Sequence, residues 1–97
     1  MVHFKVKWTL KASTDLREIY KFYSKKSKIA ADKIVNQLLD APAKIRFEDQ
    51  YRKDDYNPKY RRLLVGDFRI LYRCIDTELI IFGVIHGAQD PRKISKY

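Results

Sequence analysis

The sequence predicts an α+β fold, and three observations carry that expectation. It opens on alternating apolar and basic residues, continues through two segments with apolar residues three and four apart, and ends in short β-rich runs separated by two-residue turns. Helices of that kind, joined by a short turn, pack as an antiparallel pair on one face of a mainly antiparallel sheet. A length of 97 residues suits one core, so a single domain over 1–97 is expected.

The first strand is predicted over residues 2–8, with Val2, Phe4, Val6 and Trp8 on one face and His3, Lys5 and Lys7 on the other. Ser13, Thr14 and Asp15 offer N-cap groups and a first-turn acid ahead of a helical stripe of Leu16, Ile19, Tyr20 and Tyr23. The Ser- and Lys-rich run 24–28 reads as a break. A second helix follows from Ala31, Ile34, Val35, Leu38 and Ala41, and Pro42 stops it. Residues 43–59, with the charged stretch Glu48 to Asp55 and then Tyr56-Asn57-Pro58, have no period and read as a loop. Strands are expected over 60–65, 68–75 and 78–85, with Gly66-Asp67 and Asp76-Thr77 as hairpin loops. Gly66 suits the positive φ of a type II′ turn.

Those loops dictate a register. Val65 faces Phe68, Leu64 faces Arg69, Leu63 faces Ile70 and Arg62 faces Leu71; in the second hairpin Cys74 faces Leu79, Tyr72 Ile81, Ile70 Gly83 and Phe68 Ile85. One sheet face then gathers Leu63, Val65, Phe68, Ile70, Tyr72, Cys74, Leu79, Ile81 and Ile85 for the helices to cover. The opposite face gathers Arg62, Arg69, Arg73 and His86 among Tyr60, Leu64, Leu71, Ile80, Phe82 and Val84. So many apolar side chains are not left bare on a monomer, which leaves the C-terminal tail, the 43–59 segment or a partner chain to cover them.

Lys and Arg number 21 against 12 Asp and Glu, a formal charge of +9 that attracts anionic partners such as RNA. No apolar run approaches the roughly 20 residues that span a bilayer, so no membrane partner is expected. With no signal-peptide core at the N-terminus, the location predicted is cytoplasmic. The single cysteine, Cys74, excludes an internal disulfide and reads as a core residue. His3 has no partner at metal-ligand spacing and neither Gly66 nor Gly87 lies in a glycine-rich phosphate loop, so neither metal nor cofactor is expected. The chemistry that remains is carried by Arg62, Arg69 and Arg73, whose guanidinium groups can fork a phosphate from a rigid strand. His86 at the end of the last strand is a candidate general acid or base, and equally a strand-end residue bonded to backbone. Lysines 25, 26, 28 and 33 form a second basic patch, which reads either as phosphate contacts or as a solvated face.

On the segments DLREIYKFY, KIVNQLL, RRLLVGDFRILYRC and ELIIFGVIHGAQDP, the chain resembles the RelE/ParE superfamily of toxins from type II toxin–antitoxin modules. The resemblance covers nearly the whole chain, and its most specific phrase is Phe68-Arg69-Ile70-Leu71-Tyr72-Arg73. It implies a β-α-α-β-β-β order and a cognate antitoxin protein as partner. It also implies one of two activities: RelE-like members cleave mRNA on the ribosome, whereas ParE-like members poison DNA gyrase and are not nucleases. Arg69 matches the phosphate-stabilising arginine of the nucleases, and Arg62 falls near their basic residues on the preceding strand. Where one nuclease subgroup has an arginine after the last strand, this chain has Gln89, with Arg92 three residues on. Tyr97 stands nearest to that subgroup's late tyrosine, and His86 to the late histidine of another. The leading expectation is a ribosome-dependent mRNA endonuclease with Arg69, His86 and Tyr97 as catalytic groups and Arg62, Arg73 and Arg92 on RNA. The alternatives are a gyrase inhibitor without catalysis, and a decayed toxin that keeps only antitoxin binding.

Overall fold

The computed structural model describes residues 3–87; Val2, Arg92 and Tyr97, named above, lie outside them. The order is strand β1 (Lys5–Trp8), helix α1 (Leu10–Ser24), helix α2 (Lys28–Asp40), a 3₁₀ turn (Ala41–Lys44), then strands β2 (Arg61–Val65), β3 (Phe68–Ile75) and β4 (Glu78–His86). This is the expected β-α-α-β-β-β order. The sheet runs β1-β4-β3-β2, with β1 parallel to β4 and the two hairpin pairs antiparallel.

Helix α1 begins four residues earlier than its polar run suggests. The Thr9 hydroxyl accepts the Ala12 N–H at 3.1 Å, satisfying one of the helix's unpaired amides, and so takes the N-cap role expected of Ser13, Thr14 or Asp15. The buried stripe is correspondingly Ala12, Leu16, Ile19 and Tyr23, and Ala12 is too small to announce itself by hydropathy. Ser27 caps α2 in the same way through the Ala30 N–H at 3.1 Å, and Ala31 and Leu38 carry its buried face. These stripes enclose the main core against Leu63, Phe68, Ile70, Tyr72, Leu79, Ile81 and Val84, with Val6 and Trp8 of β1 at its margin.

The first hairpin has the predicted register at all four positions, and Gly66 takes φ 55° at the first position of its loop. Asp76 adopts the same φ, 55°, in the second loop, a conformation that Asp tolerates better than most residues. The second hairpin keeps Cys74 opposite Leu79 and Tyr72 opposite Ile81, but then Leu71 pairs with Gly83 and Phe68 with His86. Phe82 is thus an extra residue, a β-bulge, and a bulge inverts the alternation of everything beyond it. Val84 and His86 turn to the helix face and Ile85 to the opposite one. This corrects the expected placement of His86 on the arginine face, and of Ile85 and Val84 on their respective faces.

Asp15 secures the bulged end. β1 stops at Trp8, opposite Ile81, so among the described residues β4 has no strand neighbour on that side from Phe82 onward. There the buried Asp15 carboxylate accepts the Val84 N–H at 3.0 Å, with Lys11 Nζ 2.7 Å away. An acid in the apolar stripe of α1 therefore satisfies a sheet amide that no strand reaches.

The 43–59 segment, expected as a loop, turns back along β2. Lys53 forms a bridge with Arg61, the Asp54 N–H donates to the Tyr60 carbonyl at 2.8 Å, and the Arg62 N–H donates to the Arg52 carbonyl at 3.1 Å. A second apolar cluster of Tyr60, Leu71 and Ile85, with Phe82 against it, lies on the face away from the helices, where Leu64 stays 60% exposed.

Asp15→Ala leaves the Val84 amide unpaired and is expected to lower unfolding free energy by about 1–3 kcal/mol, measured by urea denaturation. Tyr72 has its hydroxyl pushed up from 10.0 to about 12, chiefly by burial, with Cys74 adding and Arg61 opposing. Because the folded value lies above the unfolded one, this contribution to stability is complete below pH 10 and is lost as the pH rises toward 12. Denaturation midpoints across that range, compared with Tyr72→Phe, check it: the variant's midpoint should fall less steeply.

Candidate functional site

The arginine face is built by β2 and β3. Alternation from Val65 and Phe68 across the Gly66-Asp67 turn sends Arg62, Arg69 and Arg73 to the side away from the helices, as expected. Their environments differ. Arg73 is exposed, whereas the Arg62 and Arg69 side chains are only 15% and 16% accessible.

What shields them is the segment before β2. Asp54 is fully buried; its Oδ2 accepts the Tyr56 N–H at 3.0 Å and the Asn57 N–H at 2.9 Å, forming a tight turn led by a carboxylate. Its other oxygen, Oδ1, lies 3.4 Å from Nη1 of Arg69. The guanidinium carbon of Arg69 also sits 5.4 Å from the centre of the Tyr56 ring, within cation–π range. The neighbouring Asp55 lies 2.9 Å from Arg52 and 4.0 Å from Arg62. Two arginines expected to fork a phosphate thus face acids of their own chain. For Arg69 the pair is buried, so removing one partner strands the other's charge in a medium that cannot hydrate it.

His86 lies across the sheet from that pair. Its ring meets Phe68 edge-on, with centroids 5.2 Å apart. Being the last residue of its strand, it borders two concavities. One, of ≈ 410 Å³, runs along α1 beside Lys11, Asp15, Glu18 and Phe22. The other, of ≈ 540 Å³, wraps the first hairpin turn between Leu64, Asp67, Arg69 and Gly87. Arg69 and His86 therefore reach one cavity around Phe68 although they belong to opposite faces. Gly87 closes it, donating its N–H to the Asp67 carbonyl at 2.6 Å.

Among the described residues no group of three His, Cys, Asp or Glu side chains is placed to hold a metal ion, and no helix is long and apolar enough to cross a membrane. Cys74 packs at the margin of the main core, and burial pushes its thiol up, with Glu48 adding and Arg61 opposing. That environment disfavours the reactive thiolate.

Asp54 and Tyr56 were not among the residues expected at a site. The signal for them was Asp54-Asp55-Tyr56-Asn57-Pro58, a turn-forming run with an acid at its head, ending shortly before a strand rich in arginine. Only the fold brings it over β3.

The sequence model of the family described as ParE toxin of the type II toxin–antitoxin system, parDE, matches residues 6–91. The chain belongs to that family. No curated protein matches it significantly. Among solved structures, this ParE-family chain superposes on one described as a chromosomal ParDE toxin–antitoxin system from P. aeruginosa, with a TM-score of 0.74 and 24% identity. That match covers 87% of the chain and 96% of the other. It also superposes on a toxin–antitoxin complex RelBE2 from Mycobacterium tuberculosis, with a TM-score of 0.53 and 22% identity over 92% of the chain and 97% of the other. At those identities the likeness is one of fold. The family match makes the chain a toxin of a type II module.

Gly87→Ala sets a new Cβ 3.0 Å from the Asp67 carbonyl, a backbone atom that cannot swing aside. It is expected to lengthen the Gly87–Asp67 hydrogen bond and destabilise the fold by about 1–3 kcal/mol, the usual range for overpacking, as read by thermal melting.

Proposed function

We propose that this toxin acts as a ParE-like inhibitor of DNA gyrase without catalysing a reaction, and that a cognate antitoxin protein holds it in check in the cytoplasm. The observation that carries the reading is the state of Arg69. An arginine that stabilises phosphate charge has to offer its donors to the phosphate, and this one faces the buried Asp54 carboxylate at 3.4 Å under the Tyr56 ring. The acid–base partner expected beside it, His86, stands on the other face of the sheet, beyond the Phe82 bulge. Membership of the ParE family favours the same choice.

Binding without chemistry asks only for a complementary surface, and a formal charge of +9 on 97 residues supplies a field that draws in an anionic one. A second reading, ribosome-dependent mRNA cleavage, is favoured by one feature: Arg62, Arg69 and Arg73 share a sheet face, and Arg69 also borders the cavity that His86 reaches. In that reading Arg69 would have to exchange Asp54 for a phosphate.

A supercoiling assay decides between them. Purified toxin at saturation is expected to leave a relaxed plasmid unsupercoiled by gyrase, and a translation extract with the same toxin should keep its message intact. Normal supercoiling together with newly mapped mRNA ends would reverse the assignment.

A further inference from the structure

Arg69 is the most tightly held cation on its face, and what holds it belongs to a segment rather than to the sheet. Several links tie that segment down, among them the Arg61 guanidinium, which donates to the Tyr51 carbonyl at 2.9 Å. The Asp54 amide and the Tyr60 amide close the turn through the Tyr60 and Asn57 carbonyls, at 2.8 and 3.0 Å. The Asp54 carboxylate gathers the Tyr56 and Asn57 amides. The Arg62 amide reaches the Arg52 carbonyl at 3.1 Å. A charged link reaches inward to β3, the Asp54–Arg69 ion pair, with the Tyr56 ring against the same guanidinium. Asp54 Oδ1 and Arg69 Nε are both buried, and neither makes a hydrogen bond to a described residue, so the ion pair is what offsets the desolvation of both groups. At its end the segment contributes Tyr60 to the apolar cluster with Leu71 and Ile85.

The exposed cations of this side are arranged to match. Arg52, Lys53 and Lys59 are carried by the segment itself, beside Tyr56, which is 51% exposed; the sheet adds Arg73 and, on β1 at its far edge, Lys5 and Lys7, the latter paired with Glu78. An anionic surface approaching at the β2 edge meets the cations of the segment.

We infer that Arg69 is a positioning residue: through the buried Asp54 carboxylate it latches residues 51–60 onto the sheet, and the latched segment is the surface through which the toxin meets its target. This rests on the reading of the toxin as a binding inhibitor, in which the guanidinium of Arg69 never touches the target. Its consequence is that the charge of Arg69 becomes dispensable once the charge of Asp54 is removed with it. Asp54→Asn keeps an oxygen for the Tyr56 and Asn57 amides, and Arg69→Met keeps much of the arginine stem's length and apolar volume. Together they exchange a buried ion pair for a neutral one, a replacement that proteins commonly tolerate.

The test compares full-length wild type, both single variants and the double variant by trypsin digestion and by growth arrest on expression. Each single variant strands a buried charge, so cleavage after Arg52, Lys53 or Lys59 should speed up by about 100-fold, with growth arrest lost. In the double variant, cleavage should return to within about 10-fold of wild type and growth arrest should return with it. A double variant with a protected segment and no growth arrest would show that Arg69 touches the target itself. Arg69→Met as protected as wild type would show that the pair is no latch. Should either single variant not fold, Arg69→Lys, which keeps the charge without the fork, serves in its place and should fall between wild type and Arg69→Met in cleavage rate. Cleavage reads the latch whatever the target is, so failure of the gyrase assay and failure of the latch give separate results.

Discussion

One extra residue in the last strand arranges much of what surrounds it. The bulge at Phe82 turns the end of β4 over, so that Val84 enters the main core, Ile85 joins the second apolar cluster and His86 faces the helices. A sheet can accept such an interruption only if the disturbed amides find partners, since a buried N–H without one costs about as much as a lost hydrogen bond. Here the partner comes from outside the sheet, as the Asp15 carboxylate on α1. Helix and strand are thereby locked in one relative position by a polar contact inside an otherwise apolar interface.

The two faces of the sheet are stabilised differently. On the helix side burial of aliphatic and aromatic side chains dominates, with Leu38, Ile70, Tyr72, Leu79 and Ile81 wholly withdrawn from water. On the other side lies a smaller apolar cluster to which Tyr60 contributes, and the segment leading to Tyr60 is tied by an ion pair whose acid is fully buried. Burying a charge is costly unless it is paired, so removing one partner of such a pair costs more than exchanging both for neutral groups.

An arginine at the start of β3 is available for chemistry only when nothing within the chain neutralises it. Here Asp54, placed by a turn in the preceding segment, faces Arg69 at 3.4 Å without altering the sheet. A likeness of fold says little about the target, because function lives in the site and not in the common core.

By itself the sequence determined the element order, the helix stripes, the first hairpin's register and the side of the sheet on which Arg62, Arg69 and Arg73 fall. All of these follow from local periodicity and turn chemistry, which act over a few residues. It missed the Thr9 cap, because Ala12 is too small to mark the first buried turn. It misplaced His86, although Gly83 inside a strand was a sign of the bulge. The arginine face was legible as a basic surface, but its engagement by Asp54, Asp55 and Tyr56 was decided only by the tertiary structure. Whether an arginine is free or paired depends on which acid the chain folds back across it, and no pattern along the chain records a contact made between segments that meet only in space.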